Sequence, residues 1–189
     1  MTRRVIYAVL VLLAIAPAIA RASDADYQKT IDTFRKATES GQFFDNAFGY
    51  AVFPNIGKGG IGIGGAYGKG RVYQGGAWVG ECSLKQATIG FQLGGQAYRQ
   101  IIFFEDAKSF DQFTSGNFEF GAEASAVAVT AGASAKANTA GSSAGANVGT
   151  TDVTNVGRYH KGMATFTIAK GGLMYEASLG GQKFSYKKR

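Results

Sequence analysis

The sequence holds one cysteine, Cys82, and one histidine, His160. A lone cysteine cannot close an intramolecular disulfide, so the fold must be held by its apolar core. A lone histidine excludes a multi-histidine metal site, and a thiolate zinc site would lack its second sulfur. No metal or other cofactor is implied, and Cys82 reads as a small buried hydrophobe. Long apolar runs are missing as well. The longest, residues 5–16, has 12 residues, short of the roughly 20 that a spanning helix needs.

That run has a different use. It follows Thr2-Arg3-Arg4 and precedes Pro17 and two overlapping small-x-small sites, Ala18-Ile19-Ala20 and Ala20-Arg21-Ala22. This is the pattern of a cleavable secretory signal peptide. Cleavage before Ser23 makes residues 1–22 the signal and leaves 23–189 as a single domain, a length that suits one core. The cut removes Arg3, Arg4 and Arg21 and no acid, so the mature domain is less basic than the formal charge of +7. No cysteine stands beside the cut to carry a lipid. The protein therefore reads as exported: periplasmic, secreted, or peripherally attached to the cell envelope.

In residues 23–40, Tyr27, Ile31 and Phe34 fall at i, i+4 and i+7, which predicts a helix capped by Ser23 or Asp24 and ended by Gly41. Asp24, Asp26, Asp32 and Glu39 outnumber Lys29, Arg35 and Lys36. The stripe is therefore expected to dock on the core rather than on an anionic bilayer. From Gly49 onward, short β-type runs are broken by glycine, at residues 49–53, 60–64, 71–73, 87–93 and 100–104. A later short helix is expected over 106–114, with Phe110 and Phe113 on its inner face, Asp106 as its cap and Gly116 closing it. Residues 118–137 alternate, with small side chains that imply close packing. Residues 138–151 are Ala, Gly, Ser, Asn and Thr with hardly a large apolar side chain, which reads as a low-complexity loop. Alternation resumes at 165–168, 173–179 and 183–186. The fold class expected is α+β, mainly β: an antiparallel glycine-rich sheet or barrel-like sandwich with an N-terminal helix and one later short helix.

Catalytic motifs fail on context. Gly141-Ser142-Ser143-Ala144-Gly145 matches G-x-S-x-G and is followed by Asp152 and His160. A nucleophile elbow, however, needs a buried strand before it and a helix after it, and this tract supplies neither. Glu105-Asp106 is an acidic pair whose members face opposite sides of an extended chain. The glycine tract 57–70 lacks P-loop spacing, since Lys69 is followed by Gly70 rather than Ser or Thr. Alternating Gly and Ile instead suits a strand whose glycine face lies against another layer. No enzyme is expected, and no nucleic-acid partner.

What remains is a basic and aromatic surface. Lys58, Lys69 and Arg71 lie at or beside the ends of the glycine strand with Tyr67 and Tyr73, and Lys183, Lys187, Lys188 and Arg189 flank Phe184 and Tyr186. Cations beside interfacial aromatics suit an anionic lipid headgroup. Three further segments sharpen this reading: Gly49-Tyr50-Ala51-Val52-Phe53-Pro54, Gly90-Phe91-Gln92-Leu93-Gly94-Gly95-Gln96, and Gly171-Gly172-Leu173-Met174-Tyr175-Glu176-Ala177-Ser178-Leu179-Gly180-Gly181-Gln182-Lys183-Phe184. Together with the run 59–70, they resemble the SYLF lipid-binding domain family in its bacterial exported branch. The resemblance covers residues 23–186 and implies a non-enzymatic module that binds phospholipid. In eukaryotic relatives the ligands are phosphoinositides and the domain is linked to actin. An exported protein meets neither, so anionic phospholipid or a membrane surface is the partner implied, with envelope proteins as a further class. The alternatives are a small outer-membrane β-barrel and a structural envelope protein. Against the barrel stand the short segments and a chain that ends in Lys187-Lys188-Arg189 rather than an aromatic.

Overall fold

The computed structural model describes residues 22–90, 96–121, 124–128, 158–170 and 177–189. The signal segment up to residue 21, the low-complexity loop 138–151, the Ser143 and Asp152 positions, and residues 91–95 and 171–176 of the two later family-like motifs lie outside these residues.

The N-terminal helix is α1, Asp24–Lys36. Ser23 accepts from the Asp26 N–H while the Asp26 carboxylate accepts from the Ser23 N–H, a reciprocal box that satisfies helix-end donors. Tyr27, Ile31 and Phe34 are buried, so the predicted stripe docks on the body of the protein. The helix does not run on to Gly41 as the periodicity suggests. Ala37 is extended, and two single turns follow, α2 (Thr38–Gly41) and α3 (Phe43–Asn46). The buried Ser40 hydroxyl donates to the Phe34 carbonyl at 2.6 Å and holds this corner, which delivers Phe43 onto Phe103 and Phe166.

Eight described strands form one curled, half-barrel sheet in the order β4-β8-β2-β1-β3-β6-β5-β7. They are β1 (Gly49–Gln74), β2 (Ala77–Gly90), β3 (Gln96–Phe104), β4 (Phe118–Glu119), β5 (Ser125–Ala128), β6 (Met163–Lys170), β7 (Ala177–Ser178) and β8 (Lys183–Lys188). Pairing is antiparallel except for β5 with β6. The three runs read from the sequence at 49–53, 60–64 and 71–73 are one strand of 26 residues. Its first part pairs with β3 and its last part with β2. Glycine did not break it; glycine let it bend back on itself. A Cβ on Gly70 would lie 2.7 Å from the Phe53 ring and 2.8 Å from the Val52 carbonyl oxygen, so this stretch passes across the start of its own strand only without a side chain.

Each face of the sheet has its own core. On the inner face Phe53, Val72, Leu84, Phe104 and Phe184 pack with Phe110 and Phe113 of α4, Ala107–Thr114. Asp106 caps α4 through a 2.8 Å bond from the Ser109 N–H, and Gly116 leaves it with φ +97°, as the sequence predicts. On the outer face Val52, Ile101, Phe103, Phe166 and Ile168 pack against Tyr27, Ile31, Phe34 and Phe43. Alternation along β3 assigns the sides: Ile102 and Phe104 face in, Ile101 and Phe103 face out. Cys82 is buried on the inner face, and burial pushes its thiol well above the ordinary range, leaving it inert.

Candidate functional site

The α1 helix covers only part of the outer face. Over β1, β2 and β8 the register brings three polar rows together: Arg71 opposite Glu81 opposite Lys187, Lys69 opposite Ser83 opposite Ser185, and Tyr67 opposite Lys85 opposite Lys183. Directly paired residues share a side of the pleat, and Val72, Cys82, Leu84 and Phe184 between them face the inner core. The sequence dictates this split, because polar and apolar residues alternate along each of these strands.

Across the patch, Ser83 and Ser185 share a 2.6 Å hydroxyl hydrogen bond. Lys183 pairs with Glu119 at 3.4 Å. Lys69, Lys85 and Lys187 are exposed. The result is a surface on which lysine ammonium groups stand around a serine pair. It can attract anions.

One end of the patch is closed by a clasp. The Arg71 guanidinium lies 4.1 Å from the Tyr27 ring centroid and 3.8 Å from that of Trp78, and it pairs with Asp24 at the start of α1. Arg189 lies 4.3 Å from the same indole. The Arg71 side chain is only 15% exposed. Burial pushes the Tyr27 phenol up to about 12 against the opposing pull of Arg71.

The residues named from sequence therefore separate. Lys69, Tyr67, Lys183 and Lys187 share the open face. Arg71 shares its side of the sheet but spends its charge inside the clasp. Tyr73 is 5% exposed and stacks on Tyr50, which makes it a core residue. Lys58 pairs with Gln96 on the β1–β3 ladder, two residues beyond the inward-facing Ile56, and stands apart from the lysine rows. Lys188 pairs with Gly80 on the opposite side of the pleat from Lys187. Sequence reasoning missed Lys85, Ser83 and Trp78. Their signal was present in the alternation of Glu81, Ser83 and Lys85 with Cys82 and Leu84, in a stretch read as starting only at residue 87.

A family model described as Ysc84, Las17-binding protein actin regulator, matches residues 85–189, more than half of the chain. The chain belongs to the Ysc84, or SYLF, family. The SYLF family is associated with lipid binding. The matched stretch contains Lys85, Lys183 and Lys187 of the open face, whereas Lys69 and the Arg71 side of the clasp precede it. This SYLF chain is also similar to beta cell expansion factor A of Aeromonas veronii, with 27% identity over 164 residues, 82% of this chain and 51% of the relative. The chain thus spans about half the length of that curated relative.

Proposed function

We propose that this chain is an exported, non-enzymatic SYLF domain that binds anionic phospholipid surfaces through the open β1–β2–β8 face. The observation that supports this most directly is the convergence of Lys69, Lys85, Lys183 and Lys187 in register on one side of three adjacent strands. Each lysine close to an anionic membrane contributes about 1 kcal/mol of attraction, so several acting together give useful affinity where one would not. Tyr67 beside Lys85 supplies an aromatic for the headgroup boundary. Export, read from residues 1–22, keeps the domain away from the actin named in the family description. Release of the protein by osmotic shock would support the periplasmic placement.

Lysine rows and a docked helix on the outer side of the sheet weigh against the lipid-embedded barrel, whose exterior would have to be apolar. Strand length no longer argues the same way, since β1 and β2 run to 26 and 14 residues. Vesicle co-sedimentation tests the proposal: binding to phosphatidylglycerol-containing vesicles should exceed binding to phosphatidylcholine vesicles and fall with added salt. Equal pelleting with both, or none, refutes it.

A further inference from the structure

A second group of cations lies on the outer face, at the other half of the sheet. Arg99 pairs with Ile168 and Lys170 with Ala97 across β3 and β6. Arg99 and Lys170 are therefore diagonal neighbours on one side of the pleat, about 7–8 Å apart at the backbone. The carboxylate within reach, Asp26, accepts from the Ser23 N–H and hydroxyl at 2.8 Å each through Oδ2, and its charge only partly offsets that of the cations.

These cations are poorly satisfied. The Arg99 Nε is buried and finds no hydrogen-bond partner among the described residues. Among the described residues, Lys170 Nζ reaches only the Asn55 side-chain oxygen, at a long 3.4 Å. Partial desolvation, and then the neighbouring Arg99, hold the Lys170 ammonium below the ordinary lysine range, with Asp26 opposing. A buried donor left unmade and like charges held together are both unfavourable, and a single anion between them relieves both.

We propose that Arg99 and Lys170 form a discrete site for one tetrahedral oxyanion of the phosphate class. The planar guanidinium offers a fork matched to two oxygens, and Lys170 supplies a point charge from the adjacent strand. The Asn55 oxygen faces Lys170, which leaves its amide N–H groups as further donors. The site lies on β3 and β6, so it does not depend on the open lysine face. A lipid phosphate and free phosphate present the same group to it.

Calorimetric titration of the full chain with inorganic phosphate, at ionic strength fixed with chloride, tests the site. Saturable phosphate binding that weakens at least about tenfold in Arg99→Gln and in Lys170→Gln supports it, since a charge-assisted contact is lost in each. Lys170 is exposed, so its variant should fold even if Arg99→Gln does not. A second arm measures phosphatidylglycerol vesicle binding of the same variants. Reduced vesicle binding identifies a lipid phosphate as the ligand; unchanged vesicle binding with lost phosphate binding identifies the free anion. Phosphate and vesicle binding both indistinguishable from the unsubstituted protein in Lys170→Gln overturn the proposal.

Discussion

Replacing Arg71 with glutamine separates two roles that its position in the sequence cannot. If Arg71 works as a clasp, the substitution removes two cation–π contacts, at 4.1 and 3.8 Å from the Tyr27 and Trp78 centroids. Such contacts contribute about 0.5–1 kcal/mol when exposed and ~2 kcal/mol when desolvated. With the side chain 15% exposed, about 1 kcal/mol for each contact is reasonable. The ion pair with Asp24 adds less, because that carboxylate is 84% exposed and screened surface pairs contribute only about 0.2–1 kcal/mol. The loss should total about 2–3 kcal/mol. For a domain of this size that lowers Tm by roughly 5–10 °C. Trp78 is the one tryptophan, so its emission reports the clasp without further labelling. Arg71→Lys keeps the charge but not the planar stack and should recover only part of the loss. High salt should leave most of it in place, since the ion pair is the minor part. A variant that keeps its Tm within about 2 °C and its tryptophan emission, yet loses vesicle binding, would refute the clasp and restore Arg71 as a lipid contact.

Three other outcomes follow from the same structure. Neutralising Lys69, Lys85 and Lys187 together as glutamines should reduce partitioning to anionic vesicles by ~100-fold, at about 1 kcal/mol per lysine, with little change in Tm; sedimentation at low salt measures it. Gly70→Ala should destabilise by about 1–3 kcal/mol through overlap with Phe53 and the Val52 carbonyl, whereas Gly59→Ala, with nothing within 4 Å of the added methyl, should be close to neutral in thermal unfolding. Stability should also fall in alkali. Burial pushes the phenol of Tyr27 up to about 12, and burial with Glu105 does the same for Tyr159. The folded protein therefore keeps protons that the unfolded chain releases from about pH 10. Their contribution is full below that pH and is lost as pH rises toward 12, by up to ~1.4 kcal/mol per pH unit for each phenol. Tyr27→Phe should flatten this alkaline limb of a denaturation series; an unchanged limb would show that the phenol is not protected.

Local chemistry was legible wherever a short period or a cap carried it. The i, i+4, i+7 spacing of Tyr27, Ile31 and Phe34 was enough to bury that side of α1, and Asp106 with Gly116 was enough to bound α4. Lys69, Lys183 and Lys187 could be named as candidates because charge beside aromatics is visible in one dimension. Lys85 could not be joined to them without the start of β2, which glycine-rich composition obscured.

Amino-acid order alone carries the class: a mainly β domain with an N-terminal helix, glycine-lined strands and polar–apolar alternation that assigns each residue a side of the sheet. The tertiary structure decided which sides meet. Only the bend that Gly70 permits makes residues 49–74 one strand shared by β3 and β2, and only the β1–β2–β8 register brings Lys69, Lys85 and Lys187 together across more than a hundred residues. The same folding turned Arg71 from a surface cation into a half-buried clasp, because Trp78 and Tyr27 reach it from a hairpin and a helix. Alternation is a property of neighbours along the chain, whereas charge convergence depends on long-range strand order, which no local pattern encodes.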